Sequence, residues 1–204
     1  RGLKGRQEVM WLVFLLFLCI LGTHGFRTNP WGISGRHYGR LSVKMGNEKS
    51  EIEIDVEGQL LSYQAHFPHI LPDQWAKLIQ FTRNMLDWNT KVNLISRKDA
   101  LNIVPHHIVP CLAISLVRRF EHGERVIDVG TGGGLPGIPM SIINPTAQVT
   151  LLDSNSKKMM VVQDLVNSLN LGNVRVVCAR AEALLGEDSA DSKFDFMLGR
   201  AVSA

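Results

Sequence analysis

The sequence predicts an α/β protein: a doubly wound, parallel, Rossmann-like sheet behind a small N-terminal helical cap. Three observations predict it. Strand-like and helix-like segments alternate from residue 123 onward, which is the rhythm of a parallel sheet with crossover helices. A glycine-rich turn joins the first of these strands to a helix start. The stretch before residue 123 reads as helical, with an apolar stripe that needs a partner surface.

Domain by domain, residues 1–25 read as a signal peptide. Arg1, Lys4 and Arg6 form a basic start, residues 9–21 are an unbroken apolar run, and Thr23, His24 and Gly25 suit cleavage before Phe26. The run falls short of the ~20 residues that span a bilayer, which argues against a permanent anchor. Residues 26–47 hold Arg27, Arg36, Arg40 and Lys44 and no acid, with Ser, Gly, Thr and Asn throughout, a transit-peptide composition. The order resembles the bipartite plastid presequences of algae with secondary plastids. Import into such a plastid is the expectation, with the cytoplasm or the secretory pathway as alternatives, and no stable membrane association once the presequence is removed. A chain that starts at Arg1 also suggests an incomplete or processed N-terminus.

Overall charge invites a nucleic-acid reading that its distribution withdraws. Residues 1–47 contain seven Lys/Arg and the single acid Glu8, which leaves 15 basic and 18 acidic residues for the rest. The basicity belongs to the extension and defines no RNA-binding face. Cys19, Cys111 and Cys178 have neither paired spacing nor a C-x-x-C, so neither a disulfide framework nor a zinc site is expected.

Residues 48–71 are expected as linker, although 51–57 alternate strictly enough for a short strand. The cap occupies 72–122. Pro72 opens a helix whose stripe is Trp75, Leu78, Ile79, Thr82, Met85 and Leu86, ending near Trp88 and Asn89. Residues 101–117 form a second helical region interrupted by Pro105 and Pro110. The sheet domain, 123–204, has strands at 126–129, 149–153, 174–178 and 194–198. Its helix at 157–169 has Met159, Val162, Leu165, Val166 and Leu169 inward and Gly172 as its stop. Because sheets of this type need further strands, the domain is expected to be partial at its C-terminal end.

The glycine turn carries the chemistry. Val126, Ile127, Asp128 and Val129 form a buried strand, Gly130, Gly132, Gly133 and Gly134 follow, and a helix opens at Pro136. The dinucleotide fingerprint fails because Leu135 stands where a third glycine belongs. A phosphate loop fails because no Gly-Lys-Ser/Thr follows. Asp128, Gly130, Gly132 and Gly134 instead fit acidic-x-Gly-x-Gly-x-Gly, which resembles the loop of class I S-adenosylmethionine methyltransferases. Asp153, 23 positions past Gly130 at a strand's carboxyl end, is placed for ribose hydroxyls. Ser154 and Ser156 suit helix capping better than ligand binding. Ala181 and Glu182 follow the third strand, where backbone and carboxylate can meet an adenine edge. Arg200 follows the fourth and suits an anionic or guanine-bearing substrate, guanine offering O6 and N7 acceptors. His106 and His107 lack a Cys or acid at metal spacing and take a structural or loop role by default. Lys157 and Lys158 read as a solvated helix face. There is no nucleophile or acid/base dyad, so the catalytic residues stay unassigned, with Arg200 the candidate for substrate positioning.

Taken together, Trp88-Asn89-x-Lys91-Val92-Asn93-Leu94, His107-Ile108, the run from Asp128 through Leu135-Pro136-Gly137-Ile138-Pro139, Leu152-Asp153-Ser154, Lys157-Lys158, Arg180-Ala181-Glu182 and Gly199-Arg200-Ala201 resemble the bacterial RsmG family. This family, also called glucose-inhibited division protein B, comprises the small-subunit rRNA guanine-N7 methyltransferases. The likeness spans residues 72–201. It implies S-adenosyl-L-methionine as cofactor, contacted by Gly130, Leu135, Ala181, Glu182 and Arg200. It implies N7 of a guanine in 16S-type rRNA as target, the ribosomal small subunit as partner, and a monomer. One departure stands out: the family's His-x-x-Asp-Ser becomes His107-Ile108-Val109-Pro110-Cys111, which loses or displaces that acid. The alternatives are a class I methyltransferase for a small molecule or protein, and a non-catalytic rRNA- or nucleotide-binding fragment.

Overall fold

The computed structural model describes residues 42–44, 51–184 and 193–200. The signal-peptide segment and nearly all of the transit-like segment lie outside these residues. Where the described chain begins, β1 (Ser42–Lys44) pairs antiparallel with β2 (Glu51–Glu53).

The alternation at 51–57 predicts a strand, but pairing stops at Glu53 and α1 (Val56–Leu61) follows. Asp55 is the reason. Its Oδ1 accepts from Gly58 N at 2.8 Å, capping the helix, and a Cβ at Gly58 would collide with that carboxylate. The expected linker is in fact structural: Ile54, Val56, Leu60, Phe67 and Ile70 are buried in the core.

The long cap helix α2 (Pro72–Asn89) has the predicted bounds, and all six stripe residues are buried. Phe81 and Gln74 widen the stripe. Fully buried Leu78, Phe81 and Met85 each contribute about 1.5–3 kcal/mol. That exceeds the ~0.7 kcal/mol per residue that separates ordinary helix propensities, so packing holds this helix. Gln74 fixes its N-terminal end, accepting from Leu71 N and donating to Ile143 O. The second helical region splits as its prolines require: a 3₁₀ turn (Ala100–Asn102), a π turn (Val104–Ile108), then α3 (Val109–Val117).

The sheet has four parallel strands in the order β5-β4-β3-β6, namely β3 (Arg125–Val129), β4 (Gln148–Asp153), β5 (Val174–Cys178) and β6 (Phe196–Leu198). From β3 the chain steps outward twice, through α4 (Gly137–Ile143) and α5 (Ser156–Ser168). It then returns past α6 (Ala181–Leu184) to lay β6 on the other side of β3. Right-handed crossovers place α4 and α5 on one face, where α2 packs on both and α3 packs on α4. The order reverses between β3 and β6, so the ligand crevice of such a sheet opens at the carboxyl ends of these two strands.

Two helix ends differ from the sequence expectation. Asn155, not Ser154 or Ser156, caps α5 by accepting from Lys158 N at 3.1 Å. Gly172 does not stop it either. Asn170 takes the left-handed position (φ 51°), its N–H reaching Asn167 O while Leu171 N reaches Val166 O. That pair of bonds is a Schellman end, which asparagine tolerates nearly as well as glycine. Asn170→Ala is therefore expected to cost about 1 kcal/mol in urea denaturation, with Asn170→Gly near neutral; equal stability of the two variants would contradict this.

Candidate cofactor-binding site

Residues 130–134 cross the top of β3 and β4, held by bonds that leave part of the backbone open. Gly130 and Thr131 both donate their N–H to Leu152 O, at 2.8 and 3.1 Å. Gly130, Gly132 and Gly134 have φ of 70°, 58° and 88°, which L side chains resist. The glycines then divide by surroundings. A Cβ at Gly132 would meet nothing closer than Gly130 O at 4.0 Å, so its absence leaves room for a ligand. A Cβ at Gly133 would press on Met85 and Leu94, and one at Gly134 on Ile138, so these two serve packing.

The cap supports the loop from behind. Asn89 Oδ1 accepts from Leu94 N and Ile95 N at 2.8 and 3.0 Å, folding residues 89–95 so that Leu94 lies against Gly133. Trp88 Nε1 donates to Asp164 Oδ2 on α5, and Lys91 covers the Trp88 ring while pairing with Asp87. The Trp88-to-Leu94 motif thus buttresses the loop.

Two carboxylates anchor the front. Asp128 is fully buried; its Oδ2 accepts from Thr131 Oγ1 (2.7 Å) and Gly137 N (2.8 Å), while Oδ1 is enclosed with no hydrogen-bond partner among the described residues. Burial pushes its carboxyl up to about 6, against the opposing hydrogen bonds and the Arg200 charge. Asp153 is half-buried at the end of β4. Its Oδ2 accepts from Gly132 N and its Oδ1 from Asn155 N, both at 2.9 Å. Each Asp153 oxygen keeps a further lone pair, enough for ribose hydroxyls without releasing the loop.

The remaining expected residues fall around this crevice with unequal access. The Leu135 side chain is 3% exposed and belongs to the core, so any ligand contact falls to its backbone. Pro136 caps α4 from outside instead of opening it, behind a cis Leu135–Pro136 peptide. Ala181 and Glu182 start α6 just past β5, half-buried and exposed respectively. Lys157 is exposed on α5. Arg200, two residues past β6, donates from Nη2 to His107 Nδ1 at 3.0 Å. This last contact is missed by sequence reasoning, which leaves His107 as a loop residue; the matching His107-Ile108 pair is its one signal.

The donor set fits an adenosyl cofactor. It combines an open glycine backbone with a carboxylate that has free lone pairs at a strand end. The model of one family, rRNA small subunit methyltransferase G, matches residues 74–204. The chain belongs to the rRNA small subunit methyltransferase G family. It is 39% identical over 137 residues to ribosomal RNA small subunit methyltransferase G of Bacteroides fragilis, covering 67% of this chain and 64% of that one. It is 41% identical over 145 residues to the same protein of Flavobacterium johnsoniae, covering 71% and 65%. The chain thus spans just under two thirds of these relatives' length. Among solved structures, a protein-L-isoaspartate O-methyltransferase aligns at a TM-score of 0.47 and 15% identity, over 71% of this chain and 47% of that one. Within the rRNA small subunit methyltransferase G family, the run Asp128 to Pro139 has a physical reading in this chain. It is a loop braced by α2 behind and by two carboxylates in front.

Proposed function

We propose that the whole protein is an S-adenosylmethionine-dependent methyltransferase that modifies N7 of a guanine in small-subunit rRNA. The observation that carries this is the glycine loop between Asp128 and Asp153 at the switch point, in a chain of this family. Gly130 and Gly132 admit the cofactor, Asp153 accepts from its ribose, Ala181 and Glu182 border the adenine, and Arg200 contacts the cofactor from the side that faces the substrate. Bound S-adenosylmethionine supplies an electrophilic sulfonium methyl group. Guanine N7 has a free lone pair at neutral pH, so the chain's task is alignment and exclusion of water, and no general base is needed. Positioning of this kind can be worth ~7–11 kcal/mol. A base in an exposed loop is the better target, because the A-form major groove is too narrow for a protein to reach N7.

The test is radiolabelled methyl transfer by the full-length protein. Label is expected in small-subunit rRNA and absent after Gly130→Asp, which fills the approach with a charged side chain. Label confined to protein or to a small metabolite would refute the rRNA reading. The composition of residues 1–47 further supports delivery to an algal plastid. A fluorescent fusion of residues 1–50 is expected to reach the plastid, and retention in the secretory pathway would refute that route.

A further inference from the structure

We propose that His107 is a positioning residue for Arg200: its imidazole Nδ1 receives the guanidinium and aims it at the crevice between β3 and β6. This rests on the cofactor reading above and adds a residue from the helical cap to the site. The two side chains are 93 positions apart in sequence, yet Nη2 and Nδ1 lie 3.0 Å apart. Arginine has donors and no acceptor, so Nδ1 must offer a lone pair and the proton must sit on Nε2. Nε2 is enclosed and makes no hydrogen bond among the described residues; Asp99 Oδ2, at 3.9 Å, is too distant for one. Most buried polar side-chain atoms have a partner, and an unpaired one calls for an explanation. Among the described residues, the ring's hydrogen bond is the one to Arg200.

The surroundings keep the ring neutral and fixed. The Cys111 thiol donates to His107 O at 2.9 Å from the next helical turn, and burial pushes that thiol up to about 12, so it stays protonated. The groups that act on the ring are Arg200, Asp99 and His106, with Cys111 and Asp128 beyond Arg200. Burial first, then the Arg200 charge, holds His107 below the usual histidine range, outweighing Asp99. Asp99 is itself drawn off by Ser96 and His106, with Ser96 Oγ at 2.9 Å and His106 Nδ1 at 3.4 Å. Protonation would remove the lone pair and set two cations together, so the contact breaks as the solution becomes acidic.

Two measurements on the full-length protein test this. In the cofactor-free state, histidine NMR is expected to show His107 titrating below 6.5, and to show that value rising in Arg200→Met. An unchanged His107 titration would overturn the proposal whatever the cofactor does. In calorimetry with S-adenosylmethionine at pH 7.5, His107→Leu is expected to weaken binding roughly tenfold, the usual order for losing a hydrogen bond to a charged group. The double variant with Arg200→Met is expected to bind no more weakly than Arg200→Met alone. His107→Asn, which places an amide oxygen near the Nδ1 position, is expected to recover most of the loss and to flatten the acid fall in affinity. Multiplying losses in the double variant, or wild-type affinity in His107→Leu, would overturn the proposal. Absence of any S-adenosylmethionine binding by the wild type would defeat the cofactor reading, while the NMR result still decides the contact.

Discussion

Gly137→Ala is expected to destabilise the protein by about 2–3 kcal/mol, although alanine is the better helix former. Gly137 is the first residue of α4, its φ is not in the left-handed region, and its N–H donates to Asp128 Oδ2 at 2.8 Å. A Cβ there would lie 2.7 Å from that same oxygen and closer still to Leu151 Cδ2. Leu151 can turn its tip, but Asp128 cannot retreat, because Thr131 Oγ1 and Gly137 N hold it inside a fully buried site. The helix-propensity gain of at most ~1 kcal/mol therefore loses to ~1–3 kcal/mol of overpacking plus the strained carboxylate bonds. Gly132→Ala is the contrasting case: the position is open but has φ 58°. It should lose about 1–2 kcal/mol of stability and nearly all affinity for S-adenosylmethionine, its methyl group pointing where the ligand approaches. Urea denaturation of the two variants beside calorimetry would separate the effects. A Gly137→Ala variant as stable as wild type would refute the packing account.

How much of this was legible in the sequence depends on how local the determinant is. The bounds of α2 follow from Pro72 and a 3.6-residue stripe, and β3 with its loop follows from four apolar-or-acidic residues running into glycines. Strict alternation misleads at 51–57 because seven residues fit a strand as well as a strand followed by a capped turn. The Asp55 side chain decides, through a bond to the third residue on. Gly172 misleads because glycine is the commoner left-handed residue, whereas Asn170 reaches that position first. Sequence spacing also cannot divide the glycines into ligand-facing and packing. That division is made by Met85, Leu94 and Ile138, which arrive from α2, the loop after it and α4. The His107–Arg200 contact is tertiary in the strict sense, joining a π turn of the cap to the end of the last described strand.

The stability cost of Asp128→Asn is expected to shrink as pH rises. Burial holds the folded-state carboxyl up at about 6, above the usual carboxylate range. A raised acid pKa means that the folded state holds more protons than the unfolded state between about pH 4 and 6. Stability therefore falls as pH rises through that window. By pH 7 the full cost of the buried charge is in place, on the order of 3 kcal/mol. No solvent screening reduces it, since Asp128 is fully buried. Asparagine keeps an oxygen for Thr131 Oγ1 and Gly137 N but turns its amide toward the site where Oδ1 has no partner. That orphan amide costs about 1–3 kcal/mol at every pH. The variant should therefore be the less stable form at pH 4.5 and gain on wild type by about 2 kcal/mol up to pH 8. The gain with pH is independent of the offset, so denaturant midpoints at three pH values check it, and parallel curves for the two proteins would refute it. S-adenosylmethionine binding should move the opposite way. A charge kept at this cost beside an open glycine loop is the mark of a site that gives up stability for function, and its removal should weaken binding at least tenfold at pH 8.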